Sequence, residues 1–276
     1  MQPVEILQGD GPVVLSIPHS GTFLPPEVYA SLNANGRKLA DSDWHVDRLY
    51  QGLMPAATIV KANFHRYLID ANRAPSGKSL YPGQNTTTLC PTTDFNGQPI
   101  YSQGQELSLD EIEARQQTWH APYHRALGRE LERVKAKHGI AILYDCHSIR
   151  SKAPFLFEGL LPAFNIGTNS GASCAPEIEE TVSTRTAQAA RYTQVLNGRF
   201  KGGWITRHYG QPQTGIHAIQ MELAQSTYLA TEKQPFTYSQ ERAEKLRRHL
   251  KQVLEALEAL APKLAQNLPT SGASHG

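Results

Sequence analysis

The sequence predicts a single α/β domain with a mostly parallel, mixed β-sheet flanked by helices. Two observations carry this expectation. Short apolar runs alternate along the chain with segments of helical period, the arrangement that yields a parallel sheet with helices packed on it. Two of those runs also end alike: Val13–Ile17 leads into Pro18-His19-Ser20-Gly21, and Ile140–Cys146 leads into His147-Ser148. Ligand sites of open α/β sheets lie outside the carboxyl ends of the strands, and histidine is the commonest protein ligand for metals. Two strands that each deliver a histidine at that end therefore point to a metal site.

The elements follow in order. Residues 13–17 (VVLSI) are a buried strand, and residues 43–53 (DWHVDRLYQGL) carry Trp44 or Val46, Leu49, Tyr50 and Leu53 at helical spacing. Short strands are expected over 57–62 (ATIVKA) and 67–70 (YLID). Residues 73–99 are rich in Pro, Gly, Asn and Thr without periodicity. So long an irregular stretch in a compact domain is read as an ordered loop near the site. Ser108 and Glu111 form a capping box, opening a helix that runs towards Lys137 with an interruption near Pro122. His138-Gly139 ends it, with Gly139 suited to a left-handed conformation. A strand over 140–146 follows, then a short strand over 155–157 and a loop over 165–176 (NIGTNSGASCAP). Residues 175–196 read as a helix, 198–212 as a tightly turned loop with Gly202, Gly203 and Gly210, and 217–223 as a strand. An amphipathic helix over 236–266 aligns Leu246, Leu250, Val253, Leu254 and Leu257 on one stripe. No internal repeat is visible, so residues 1–266 make one domain and 267–276 a flexible tail.

Bulk properties narrow the function. A net charge of +2 over 276 residues gives no electrostatic reason to expect nucleic acid or an anionic membrane as partner. No apolar stretch approaches the roughly 20 residues that span a bilayer, and the N-terminal residues lack the basic-then-apolar shape of a secretory signal. Three dispersed cysteines, Cys90, Cys146 and Cys174, form no CxxC pair. They argue against a disulfide framework and for a reducing, cytoplasmic setting. Nothing in the chain specifies an oligomeric state.

A catalytic zinc site usually draws three ligands from His and Asp or Glu. His19 and His147 supply two nitrogens. Strand alternation is taken to turn Cys146, and Asp145 with it, away from His147. The third ligand is expected among carboxylates near the strand ends. Asp43 and Asp47, one helical turn apart on a common face, are the candidates, one binding the ion and the other orienting a histidine. Glu222 ends an apolar strand, and a lone buried acid is costly unless it has a task. Burial raises a carboxyl pKa towards neutrality, which suits a general base and acid. Gln220 shares the face of Glu222, whereas His217 does not.

The succession IPHSG (17–21), DSDWHVDRLY (41–50), RYLIDANR (66–73), DCHS (145–148), GRFKGGWITRHYG (198–210) and HAIQMELAQSTYL (217–229) closely resembles the N-formylglutamate amidohydrolase, or deformylase, family. The resemblance implies hydrolysis of N-formyl-L-glutamate to L-glutamate and formate at the end of a histidine-degradation route. It also implies a fold similar to zinc carboxypeptidases and metal ligands His19, Asp43 and His147. Those enzymes carry a glutamate three residues after the first histidine; Thr22 stands here, so the carboxylate must come from elsewhere, with Asp47 and Asp145 as alternatives to Asp43. The cofactor implied is a divalent ion, Zn²⁺ foremost, since His and Asp donors also accept Mn²⁺, Fe²⁺ and Co²⁺. The substrate is a small molecule with two carboxylates, which planar guanidinium groups bind better than lysine does. Arg66, Arg73 and Arg207 lie inside the motifs, and Asn72-Arg73 resembles the Asn-Arg pair that holds the substrate carboxylate in carboxypeptidases. His217 is a further substrate or oxyanion contact, with Tyr228 and His208 as lesser candidates. Three alternatives stand beside this reading: a deacylase of another N-acylated acidic amino acid, a non-catalytic amino-acid or metal-binding protein, and a thiol-dependent amidase using Cys146.

Overall fold

The computed structural model describes residues 1–78, 83 and 85–267. Its strands are β1 (Val4–Leu7), β2 (Val13–Ile17), β3 (Thr58–Ala62), β4 (Ala141–Ile149), β5 (Phe164–Gly167), β6 (Gln194–Leu196) and β7 (Ile216–Ala224). Its α-helices are α1 (Pro26–Ser31), α2 (Val46–Tyr50), α3 (Leu109–Arg115), α4 (Ala121–His138), α5 (Pro176–Ala187), α6 (Trp204–Tyr209) and α7 (Gln240–Gln266). The strands form one seven-stranded sheet in the order β1-β3-β2-β4-β7-β5-β6. The pairs β3–β2, β2–β4, β4–β7 and β5–β6 are parallel, and β1–β3 and β7–β5 are antiparallel. The expected single α/β domain with a mostly parallel, mixed sheet is what the chain forms. Among the described residues, no helix is long and apolar enough to cross a membrane.

Several local expectations are corrected. Residues 67–70 turn rather than extend, because the Asp70 N–H is taken by the Leu89 carbonyl and the Leu68 N–H by the His65 carbonyl. Residues 155–157 are also a turn, closed by Leu156 and Phe157 N–H groups on the Ala153 carbonyl. The strand of this region is β5, inside the stretch read as a loop. The helix expected to reach 196 stops at Ala187, and its last residues become β6. Helix α6 rises inside the presumed loop 198–212. Ser108 caps α3 through the Glu111 N–H at 3.1 Å, yet the Glu111 carboxylate pairs with Arg115 instead of reaching back. The interruption near Pro122 is a π-turn over Gln116–His120: proline has no N–H for the preceding turn and its ring crowds the carbonyl four residues back. Gly139 ends α4 with φ of 80°. The terminal helix starts at Gln240, capped by Ser239. Of the expected tail, residues from 268 on lie outside those described, as do 79–82 and 84 of the 73–99 segment.

The two sheet faces differ in a way that positions the site. One face is apolar along its length: Leu15, Ile17, Tyr144, Cys146, Ile219, Met221 and Leu223 pack under α2, α5 and α7. The face towards α4 and α6 starts apolar, with Val14, Leu143 and Ala218. It then turns polar at the carboxyl ends of the same strands, with Ser16, Asp145, His147, Gln220 and Glu222, all buried. Polar groups so buried need partners, and they find them in each other.

Candidate active site

His19 follows β2 directly, and the chain there crosses the end of β3 closely. A Cβ on Gly21 would stand 2.4 Å from the carbonyl carbon of Asn63, so glycine is required for His19 to sit where it does. The His19 carbonyl accepts from the Asp43 N–H at 3.0 Å and from the Ser42 hydroxyl at 3.1 Å. This ties the turn before α2 to the end of β2. Asp43 thus lies ahead of the helix, which begins at Val46, and not on it. Asp47 does lie on α2, but its carboxylate is 40% exposed and faces Lys61 at 3.8 Å. It takes no part in the site.

One Asp43 oxygen, Oδ2, is 3.1 Å from His147 Nδ1, 3.8 Å from His19 Nδ1 and 3.0 Å from the Ser148 N–H that donates to it. The rings of His19 and His147 have centroids 5.0 Å apart. One ligand atom from each of His19, Asp43 and His147 falls within 4.8 Å of the others. The opposite ring nitrogens are held by carboxylates: His19 Nε2 meets Asp70 Oδ1 at 2.8 Å, and His147 Nε2 meets Asp145 Oδ2 at 3.0 Å. Asp145 therefore shares a face with His147, against the sequence expectation, because residues two apart on a strand point the same way. Its place behind the ring removes it as the alternative ligand. Cys146 points into the opposite core, and burial, then the nearby Asp145, pushes its thiol well above the usual range. That defeats the thiol-amidase alternative, which needs a thiolate.

These residues fit a divalent cation. His19 Nδ1 is buried without a hydrogen-bond partner, aimed at the space that Asp43 and His147 share. Four buried carboxyl groups, those of Asp43, Asp70, Asp145 and Glu222, meet here beside the buried guanidinium of Arg66, a concentration of acids that burial makes costly without a compensating cation. Carboxylates on the far nitrogens set each ring's tautomer and leave Nδ1 facing inward, the usual support for a metal-bound imidazole. For His19, burial first and Arg66 second hold the imidazole below its ordinary pKa, favouring the neutral ring a ligand must be. For His147, burial works the same way, but Asp145 and then Asp43 outweigh it and raise the pKa well above the ordinary value. A cation seated between His147 and Asp43 would take the place of that Nδ1 proton.

Glu222 faces this group from the neighbouring strand, in register with His147. Burial, reinforced by Asp43 and Asp145, pushes its carboxyl up to about 8. Gln220 orients it: the Gly203 N–H donates to Gln220 Oε1 at 2.7 Å, so Nε2 is free to donate to Glu222 Oε2 at 3.3 Å. Arg66 gives NH2 to Asp70 at 2.6 Å and lies 3.7 Å from Asp43. Asn72 accepts from the Ile205 N–H at 2.8 Å, which fixes its amide with Nδ2 3.0 Å from His147 Nε2. A Cβ on Gly203 would come within 2.3 Å of Asn72 Nδ2, so that glycine makes room for the amide. Arg73 donates to the Thr87 and Asn72 carbonyls.

A cavity opens over this cluster, lined by His19, Arg66, Asn72, Arg73, His147, Ser148, Gln220 and Glu222, together with Thr87, Phe95, Leu156, Arg199 and Phe200. The 73–99 segment does border the site, through Asn85, Thr86, Thr87 and Phe95. Two expected substrate contacts fall elsewhere. Arg207 donates Nε to the Gly202 carbonyl at 2.9 Å and is not among the lining residues. His217, five residues before Glu222 and on the other face, lies roughly 16 Å back along the strand and accepts from the Ala175 N–H. His208 stacks on Trp204. Tyr228 donates to the Trp44 carbonyl, so the Ser148 hydroxyl must donate to it in turn, at 2.7 Å; its part is to hold Ser148. The orienting carboxylates Asp70 and Asp145 were not expected, though each is a lone acid in an apolar strand or turn, the same signal that marked Glu222.

Comparison with known proteins gives the family of the chain. Residues 11–229 match the model of the N-formylglutamate amidohydrolase family. Two relatives named N-formylglutamate deformylase, from Pseudomonas aeruginosa and Pseudomonas putida, are 46% and 47% identical over 254 residues, covering 91% of this chain and 94% of each relative. The crystal structure of N-formylglutamate amidohydrolase from Ralstonia eutropha has a TM-score of 0.80 at 23% identity, covering 95% of this chain and 99% of that one. A gene product of Agrobacterium tumefaciens has a TM-score of 0.71 at 18% identity, covering 94% and 96%. Both share the fold. On the family match and the identity to these relatives, the chain is a member of the N-formylglutamate amidohydrolase family.

Proposed function

We propose that this protein hydrolyses N-formyl-L-glutamate to L-glutamate and formate, using a divalent ion, foremost Zn²⁺, held by His19, Asp43 and His147. The observation that carries the proposal is the buried Glu222 carboxyl, pushed up to about 8 and aligned with His147 on the next strand. A storage or binding protein has no use for such a group beside its ligands. When bound, the ion supplies Lewis-acid polarisation and positive charge at the reacting carbonyl.

The chain's own residues do the rest. Glu222 Oε2 is occupied by Gln220, so Oε1 takes the proton from the attacking water and returns it to the departing amine nitrogen. Arg66, lining the cavity, offers its charge to the developing oxyanion while Asp70 holds the guanidinium plane. The proton that His147 Nε2 gives to Asp145 leaves no lone pair there for Asn72, so the Asn72 amide hydrogens are available to a substrate carboxylate beside Arg73. This Asn-Arg pairing is what likens the site to zinc carboxypeptidases. The buried, unpaired thiols of Cys90, Cys146 and Cys174 suit a cytoplasmic enzyme, and the family resemblance assigns the reaction to the end of a histidine-degradation route.

Hydrolysis of N-formyl-, N-acetyl- and N-succinyl-L-glutamate, assayed by the liberated formate, acetate or succinate and by the glutamate before and after chelation, tests the proposal. The formyl compound is expected to be turned over at least about 100-fold faster than the others, a margin of roughly 3 kcal/mol in transition-state binding, and only with metal present. Preference for a larger acyl group would establish the alternative deacylase.

A further inference from the structure

Asn72, which lines the cavity, sits in the turn formed by residues 68–73, outside any helix or strand. Carbonyls in such a segment have no ladder to join and need partners from elsewhere. Three of them find side chains on the helical rod that runs from α3 into α4. Arg115 donates to the Leu68 carbonyl at 3.0 Å, His124 Nε2 to the Ala71 carbonyl at 2.8 Å and His120 Nε2 to the Arg73 carbonyl at 3.0 Å. A carbonyl only accepts, so both imidazoles carry a proton on Nε2. Burial, the leading cause for each ring, lowers both pKa values, which favours the neutral form with its proton there.

The π-turn over Gln116–His120 has a use in this arrangement. Closing i to i+5, it brings Arg115 and His120 towards one face. His124, an α-turn further on, shares the face of His120, with ring centroids 4.2 Å apart. The same ring supports the other hold on Asn72. His124 meets Trp204 edge-on at 4.6 Å, and Trp204 opens α6 immediately before Ile205, whose N–H fixes the Asn72 amide.

We infer that His120 and His124 are positioning residues for substrate binding: by gripping the carbonyls on either side of Asn72, they hold its amide where the substrate carboxylate docks. The inference rests on the deformylase reading and deepens it. Neither imidazole is among the lining residues of the cavity, so both act through Asn72. An apolar side chain would fill the same space but could not fix the direction of a carbonyl. Two donors that bracket one residue fix its orientation, and orientation of a binding group is where small displacements cost most.

The test measures KM and kcat for N-formyl-L-glutamate, with zinc content, in His120→Leu, His124→Leu and His124→Gln, and repeats the leucine substitutions on Asn72→Ala. Glutamine places an amide N–H near the position of Nε2, whereas leucine fills space and donates nothing. Each leucine variant should raise KM about 10-fold while kcat stays within about 3-fold, with zinc content unchanged. His124→Gln should recover most of the lost affinity. On Asn72→Ala the leucine substitutions should add no further rise, because the residue they act through is gone. If leucine at position 124 prevents folding, His124→Asn, whose amide falls short of the Ala71 carbonyl, takes its place. An unchanged KM overturns the inference, as does a glutamine variant no better than the leucine one, or an equal rise on Asn72→Ala. Active wild type with any of these results sinks the inference alone. Wild type that releases no formate from N-formylglutamate sinks the deformylase reading, and the inference with it.

Discussion

Glu222→Gln is expected to abolish most formate release while leaving the bound metal in place, with kcat falling about 10²–10⁴-fold. The amide has nearly the shape of the acid and can still accept from Gln220, so the strand and cavity remain, but no atom at that position can take a proton from water. Metal content of the purified variant, measured beside its turnover, checks both halves. An active variant would move the base elsewhere. The same substitution has a second signature in chelated protein. The Glu222 carboxyl is held up to about 8 in the fold against an ordinary 4.5, so between those pH values the folded state keeps a proton that the unfolded chain has lost. Stability from this group is full below pH 4.5 and is lost as the pH rises through about 8, by at most about 1.4 kcal/mol per unit. Glu222→Gln should flatten that decline, which urea titrations at two pH values within the window would read directly.

Removal of either imidazole has a comparably large effect. His19→Ala and His147→Ala should each weaken Zn²⁺ binding by at least about 100-fold, more than the roughly 10–100-fold expected from Asp70→Asn or Asp145→Asn behind the rings. The ordering follows from position: Nδ1 of each histidine faces Asp43, whereas the two aspartates touch only Nε2. Alanine also leaves buried carboxylates without their partners, so the variants should be less stable by a few kcal/mol. Metal content after dialysis against a competing chelator separates the two effects, because folded protein is recovered before it is counted. Full zinc retention in both variants would defeat the ligand assignment.

The parts of this site that could be read in the sequence are those governed by strand period and strand ends. His19, His147 and Glu222 each close an apolar run, and the parity that sets Gln220 with Glu222 and against His217 holds in the fold. Applied to Asp145 with the wrong parity, the same rule misses a carboxylate that in fact backs His147. Asp43 lies in a turn before a five-residue helix, so the helical spacing that paired it with Asp47 does not hold, and motif likeness alone chose between the two. Arg207 was read from the motif in the same way, whereas the motif's arginine among the cavity-lining residues is Arg199. Helix α6 has six residues, fewer than two turns, and its start after Gly203 decides which arginine of the motif reaches the cavity. The elements missed were short or compositionally mixed: β1, an edge strand of four residues, and β5 and β6, whose Asn, Gly and Gln residues read as loop. Their pairing comes from neighbours in space, which one stretch of sequence does not contain.

Imidazoles from two strand ends and the Asp43 carboxylate should together grip a single divalent ion. X-ray absorption at the zinc edge, on protein loaded with one equivalent of Zn²⁺, addresses it most directly. The account predicts a nitrogen and oxygen shell at roughly 2.0–2.1 Å with the outer scattering of two imidazoles, reduced to one in His147→Ala. A sulfur neighbour, or a shell without imidazole scattering, would contradict it.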